Sequence, residues 1–406
     1  MDLATIQELS VAGRHQECLQ ACQNALQFNP NEIYAFKYTG KSLLALGQFE
    51  KAQQYLIKAH QIDGTDPEIA KDIGNIFLNL GDQGTALQWY EKSLKINNDY
   101  APAFNNIANI KKKLGNNQEA IDLFKRAIQA DPNLIQAYVG AAASFLAIGD
   151  LDQAESFAAQ ALEIDEHAPG GNDILGIVFQ NQNKPNQAIK CYQKGLDVSP
   201  QASTSLLNLG LLLLQKGQTS AAVESLQKAS AIAPSEQCSL LLAQAYQILG
   251  QLKQALIEYN KLDISQSKNK LIPFNFGVCL LQIGNNNAAI EAFKIAIQLD
   301  DKFAEAWGNL GNSFNAEKRH PEALSATLKS LELKPDNPDV NMNLGNIYKE
   351  LGQLDKAMAS TLKSLELKPD NPTAHMNLGI IYKELGQLDK ALVSTLKSLE
   401  LKPDNP

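Results

Sequence analysis

Apolar residues recur along this chain at helical spacing, and the runs come in pairs. A glycine sits between the two runs of a pair, and a proline or polar turn closes the second. The segment Pro338–Asn371 serves as the template. Leu344 and Tyr348 lie on one face of its first run, while Gly345 and Ala357 are small where two helices must approach closely. Gly352 follows the first run, where a residue in the left-handed region ends a helix without a Cβ penalty. Lys368 suits the negative pole of the second run, and Pro369 stops it. Asn371 and Pro372 restart the pattern as N-cap and first helical residue. The pattern predicts helix pairs throughout and an all-α fold.

The pairs recur every 34 residues, and Pro338–Asn371 and Pro372–Asn405 match at 28 of 34 positions. The run Thr-Leu-Lys-Ser-Leu-Glu-Leu-Lys-Pro-Asp-Asn-Pro starts at Thr327, Thr361 and Thr395. A fixed period in this range means stacked supersecondary repeats, none of which buries its apolar face alone. The frame gives twelve repeats: 1–32, 33–66, 67–100, 101–134, 135–168, 169–202, 203–235, 236–269, 270–303, 304–337, 338–371 and 372–405. The seventh is one residue short. The expected organisation is one solenoid over the whole chain.

The residues at fixed offsets carry a family resemblance. Trp307, Leu310, Gly311, Phe314, Ala323 and Pro335 form a nearly complete instance, as do Phe104, Ile107, Gly115, Ala120, Phe124, Ala127 and Pro132. The pattern resembles the tetratricopeptide repeat, and the resemblance covers the whole chain. Departures are local. Lys111 stands at a position usually given to an aromatic, Asn183 and Lys318 replace the mid-repeat glycine, and Thr327, Thr361 and Thr395 replace a bulky residue. The resemblance implies antiparallel helix pairs stacked in a right-handed superhelix. It also implies that the first helix of each pair lines a concave groove.

Composition narrows the function. Apolar content of 44% and charged content of 20% describe an ordered chain. A net charge of −8 argues against a nucleic-acid footprint. No apolar run approaches the roughly 20 residues of a membrane span, so no membrane insertion is expected. The N-terminus is acidic and amphipathic and does not read as a signal peptide, so the cytoplasm is the expected location. Cys18, Cys22, Cys191, Cys238 and Cys279 form no CxxC and read as small core hydrophobes. His15, His60, His167, His320 and His375 lack metal-ligand spacing. Gly40-Lys41-Ser42 resembles the end of a phosphate loop, but Ala35 stands where the earlier glycine is needed. No catalytic set can be assembled. The expected function is protein or peptide binding, with no cofactor and no enzyme chemistry.

Three groove features are candidates. One first-helix position holds Asn106, Asn208, Asn275, Asn309, Asn343 and Asn377, with further amides one turn along at Asn109, Asn312 and Asn346. An Asn side chain offers both donor and acceptor, so such a series can grip the backbone of an extended peptide. The series is similar to the asparagine ladder in the tetratricopeptide region of O-linked N-acetylglucosamine transferases, where it holds substrate polypeptides. The competing reading is that these amides brace neighbouring repeats. The second feature is apolar: Leu207, Leu211, Leu214, Leu240, Leu241, Leu271, Phe274, Val278 and Leu281 fall on groove positions of three successive repeats. Such a patch marks a binding site if it stays exposed.

The third feature joins Tyr34, Lys37, Tyr38, Lys41 and Lys71. Lys71, Asn75 and Asn106 match part of the carboxylate clamp of co-chaperone tetratricopeptide domains, but Gln136 and Gly140 stand where two basic residues are needed. Glu68 and Asp72 dilute the charge, which leaves at most a weak site for an acidic peptide. Leu392, Leu399 and Leu401 would normally face a following helix, which points to self-association through that end or to a further domain. Two alternatives therefore stand beside a binding scaffold. One is the substrate-recruiting part of a larger glycosyltransferase or sulfotransferase, as in bacterial proteins with similar arrays. The other is an assembly or secretion adaptor.

Overall fold

A computed structural model describes residues 3–402. Expectations that fall on Met1 and on the last residues through Pro406 lie outside the described residues. The chain divides into two compact units, Met1–Ser205 and Leu206–Pro406. Among the described residues the regular elements are helical throughout.

The first unit contains α1 (Leu3–Val11), α2 (His15–Phe28), α3 (Ile33–Ala45), α4 (Phe49–Ile62), α5 (Pro67–Asn79) and α6 (Gln83–Ile96). It continues with α7 (Ala101–Lys113), α8 (Asn117–Ala130), α9 (Ile135–Ala147), α10 (Leu151–Ile164), α11 (Gly171–Asn181) and α12 (Pro185–Val198). α13 (Ser203–Gln215) carries the division between the units. The second unit goes on with α14 (Thr219–Ile232), α15 (Glu236–Ile248), α16 (Leu252–Tyr259), α17 (Leu271–Gln282) and α18 (Asn286–Leu299). It closes with α19 (Ala304–Ala316), α20 (His320–Leu333), α21 (Pro338–Glu350), α22 (Leu354–Leu367), α23 (Pro372–Glu384) and α24 (Leu388–Leu401).

Local chemistry explains the boundaries. Asn371 caps α23 through a hydrogen bond from the Ala374 N–H, and Pro372 supplies the first turn. Gly352 ends α21 with a φ of +71°. There the Gly352 N–H reaches the Lys349 carbonyl and the Gln353 N–H reaches the Tyr348 carbonyl, which satisfies the last acceptors. Asn183 and Lys318 take the same left-handed conformation, at +57° and +59°. α16 is shorter than the period implies. After Tyr259 the chain turns through a 3₁₀ segment, Ile264–Gln266, where Asp263 accepts hydrogen bonds from Ser265 and the Gln266 N–H. Such side-chain bonds compete with helical ones.

Packing within a pair follows one rule. A first-helix glycine faces a large second-helix side chain: Gly74 meets Tyr90, Gly176 meets Tyr192, and Gly277 meets Phe293. Tyr90, Tyr192 and Phe293 are fully buried, each contributing about 2–3 kcal/mol. In the last three pairs Thr327, Thr361 and Thr395 approach Gly311, Gly345 and Gly379 instead. The Thr361 hydroxyl donates to the Ala357 carbonyl at 2.8 Å, and that of Thr395 to Ala391 at 2.9 Å. Serines add a second tie. Ser93, Ser330 and Ser398 donate to the carbonyls of Pro67, Ala304 and Pro372, joining the two helices of a pair.

Candidate functional site

The predicted amide series divides into two kinds. In the first unit the amides bond to each other. Asn106 Nδ2 donates to Asn75 Oδ1 at 2.8 Å, joining α7 to α5, and the Tyr90 hydroxyl donates to the same oxygen at 2.8 Å. Asn109 donates to the Asn105 carbonyl. In the second unit Asn275 stands within hydrogen-bonding reach of Tyr259, whose phenol is pushed up by burial. Asn208 is half-buried and has a partner of its own. Asn309, Asn312, Asn343 and Asn346 are half-buried. Among the described residues their side-chain amides make no hydrogen bond to protein. Asn377 Nδ2 is buried without a partner. A buried donor left in this state costs roughly 1–3 kcal/mol.

The lysines picked out near the N-terminus are neutralised within the fold. Lys37 Nζ lies 2.7 Å from Asp66 and 2.5 Å from Glu68, and Lys41 lies 2.6 Å from Glu68. Lys71 pairs with Asp72. Burial pushes the Glu68 carboxyl up, but Lys37 and Lys41 outweigh it and hold the group at about 2. Asp72 is almost fully buried, and burial raises its carboxyl above the ordinary range against the pull of Lys71. The packing of α3 against α5 brings Asp66 and Glu68 onto Lys37 and Lys41, and Lys71 pairs with its own neighbour on α5, so a free basic patch is not what the fold makes here.

Lys112, near the end of α7, differs from all three and was not singled out in the sequence. It is half-buried, 5.9 Å from the Phe124 ring, and burial lowers its ammonium. With Asn109, Gln136, Val139, Gly140 and Pro169 it lines a pocket of about 210 Å³. Glycine is required at 140 by the core behind it, because a Cβ there would stand 2.4 Å from the Phe124 ring.

The apolar candidates also separate. Leu241 is buried, and Phe274 packs on Phe303 and Phe293 with ring centroids 4.7 and 5.9 Å apart. Leu207, Leu211 and Leu240 are half-buried, and Leu271 is 47% exposed. Leu240 lines a pocket of about 430 Å³ with Leu262 and Ile272. On α24, Leu388, Leu392, Val393 and Leu396 are each more than half exposed. Val393 and Leu396 border a hollow of about 680 Å³ with Leu362, Leu378 and Tyr382. Among the described residues no cluster of metal-ligating side chains occurs, and no helix is long and apolar enough to cross a membrane.

Comparison with known proteins places these helices among repeat arrays. A family profile described as the cilia and flagella-associated protein 70 C-terminal domain matches residues 61–270, just over half of the chain. Tetratricopeptide repeat profiles match residues 276–338, 326–359, 345–386 and 372–405. A curated relative, small glutamine-rich tetratricopeptide repeat-containing protein 2 of Mycosarcoma maydis, is 33% identical over 84 residues. That stretch is 20% of this chain and 24% of the relative, so the chain spans about a quarter of its length. Among solved structures, MamA is similar at 26% identity, covering 40% of this chain and 95% of MamA with a TM-score of 0.37. The hetero-tetramer Cut9–Hcn1 is similar at 15% identity, covering 98% of this chain and 93% of that one with a TM-score of 0.45.

Proposed function

Because the chain belongs to the tetratricopeptide repeat family, we propose that it is a protein-binding scaffold whose first-helix face holds an extended polypeptide. Amides of Asn309, Asn343 and Asn377 supply the grip on the partner's backbone. The carrying observation is that the amides of Asn309 and Asn343 are half-buried and uncommitted, whereas Asn106 is tied to Asn75; Asn377 Nδ2 is also unpartnered but buried in the free chain, and it joins them by rotating outward. An Asn that braced neighbouring repeats would show such a tie. Asn312 and Asn346 extend the same row, and the half-buried Leu207, Leu211 and Leu240 add apolar contact. The twelve repeats act as one array in this reading, with no cofactor and no reactive centre in the chain.

The test is a triple substitution, Asn309→Ala, Asn343→Ala and Asn377→Ala. Peptides captured by the wild-type protein should bind the variant at least tenfold more weakly while far-UV circular dichroism is unchanged. Equal affinity with intact helicity would remove the amides from the account. A second reading, self-association, is favoured by the exposed leucines of α24. Light scattering of Leu392→Glu against wild type over a concentration series checks it, and equal masses at every concentration exclude it.

A further inference from the structure

We infer that the exposed face of α20, α22 and α24 is an interface between two copies of this chain, joined antiparallel about a two-fold axis at α22. The inference depends on neither reading above, since it uses neither the first-helix amides nor Leu392. It starts from the departures at Thr327, Thr361 and Thr395. At the corresponding places α6 carries Trp89-Tyr90 and α8 carries Leu123-Phe124. By contrast, α20, α22 and α24 carry Ala326-Thr327, Ser360-Thr361 and Ser394-Thr395. The next residue is leucine in all three, where α6, α8 and α12 have Glu91, Lys125 and Gln193.

Bulk lost inside these pairs reappears at the surface. Leu328 is 44% exposed, Leu362 38% and Leu396 55%. Ser394 lines the hollow of about 680 Å³ together with Leu362, Val393 and Leu396, which leaves room between α22 and α24 for an entering side chain. A single exposed leucine is ordinary, but the same one on three successive second helices makes an apolar face.

Charge identifies the partner. Each leucine is followed by a lysine and, three residues later, by a glutamate: Lys329 with Glu332, Lys363 with Glu366, and Lys397 with Glu400, each pair 3.0 Å apart. Cations and anions therefore balance along this stripe, and a uniformly acidic or basic partner gains nothing from it. Turned over about a two-fold axis between Lys363 and Glu366, the stripe is its own complement. Lys363 then meets Glu366 of the other copy, while Lys329 and Glu332 meet its Glu400 and Lys397. The same register sets Leu362 against Leu367 and Leu396 against Leu333 of the other copy, both half-buried leucines. Exposed i,i+3 pairs contribute little in the free chain, so exchanging them across the contact costs little while leucines leave water. Charge sets the register and apolar burial supplies the affinity. A two-fold contact of this kind closes at two copies and leaves the first-helix face open.

Sedimentation velocity of the full chain over a concentration series tests the inference. Wild type should reach the mass of two copies and stop there. Leu362→Glu, beside the axis, should weaken the dimer at least tenfold, and Leu328→Glu, two repeats before α24, should weaken it too. Leu392→Glu lies outside the stripe and should leave the dimer intact. Two triple variants test the charge register. One carries Lys329→Glu, Lys363→Glu and Lys397→Glu, and the other Glu332→Lys, Glu366→Lys and Glu400→Lys. Neither should dimerise alone at low salt, and their equimolar mixture should form a heterodimer.

A wild type that stays monomeric at every concentration overturns the inference and needs no variant. A mixture of the triple variants no more associated than its components overturns it too. If wild-type mass climbs past two copies and Leu392→Glu alone abolishes the growth, association through the end of the array survives and the two-fold contact does not.

Discussion

Single residues show where this repeat departs from its own rule and at what cost. Lys318 holds a φ of +59° at a position where most pairs place glycine. A long side chain in the left-handed region is strained, so Lys318→Gly should stabilise the protein by about 0.5–1 kcal/mol in urea denaturation. Asn183 sits at +57°, but Asn tolerates this region better, and Asn183→Gly should gain less. A loss of stability at Lys318→Gly would show that the lysine side chain contributes something the strain argument omits. The glycines that face large side chains behave oppositely. A Cβ on Gly74 would stand 2.5 Å from the buried Tyr90 ring, so Gly74→Ala should cost roughly 1–3 kcal/mol. These substitutions were readable from the spacing, because glycine is demanded either by the turn or by a ring. That Glu68 and Asp72 dilute the charge of Lys71 was readable, since they stand close to it in sequence. The ion pairs of Lys37 and Lys41 with Asp66 and Glu68 were not, because they depend on the packing of α3 on α5.

At the scale of an element, the α3–α5 contact ties stability to pH. The folded carboxyl of Glu68 titrates at about 2, below its ordinary value near 4.3 when unfolded. A depressed folded value contributes stability that is present above the unfolded pKa and is lost as pH falls towards the folded one. Glu68→Gln should therefore destabilise the protein by roughly 1–3 kcal/mol near neutral pH, and the gap to wild type should close between about pH 4 and pH 2. A gap that stays constant over that range would sever the link to Lys37 and Lys41. Asp72 has the opposite sign, since burial raises its folded value and its charge costs stability near neutral pH. Helix pairs were legible because period, turn glycine and closing proline agree with one another. The short α16 was not, because Asp263 and Ser265 break the helix by bonding locally while the apolar spacing continues past them.

For the whole molecule, repetition implies tolerance to loss of a repeat. α21 buries Val340, Asn341, Leu344, Gly345 and Ile347, and α23 buries Ala374, Leu378, Gly379 and Ile381. Deleting 338–371 would place α23 against α20 with nearly the same face. The helical signal per residue should be retained, with a loss on the order of 1–2 kcal/mol for the Val to Ala difference. Collapse of the helical signal would mean that the pairs are not interchangeable. The amide row was visible in the sequence as a column of Asn residues. Whether an Asn is free or tied was not visible, because the tie depends on a neighbour such as Asn75 one repeat away. Lys112 escaped notice because it lies in a run of three lysines at a helix end, where cations suit the helix dipole anyway.

The most direct measurement is selective isotope labelling of the asparagine side-chain amides, followed through a titration with a captured peptide. Resonances of Asn309, Asn343 and Asn377 should shift and saturate together, while those of Asn75 and Asn106 should move little because they are already bonded. Saturable binding that leaves the first three unmoved would contradict the proposed grip.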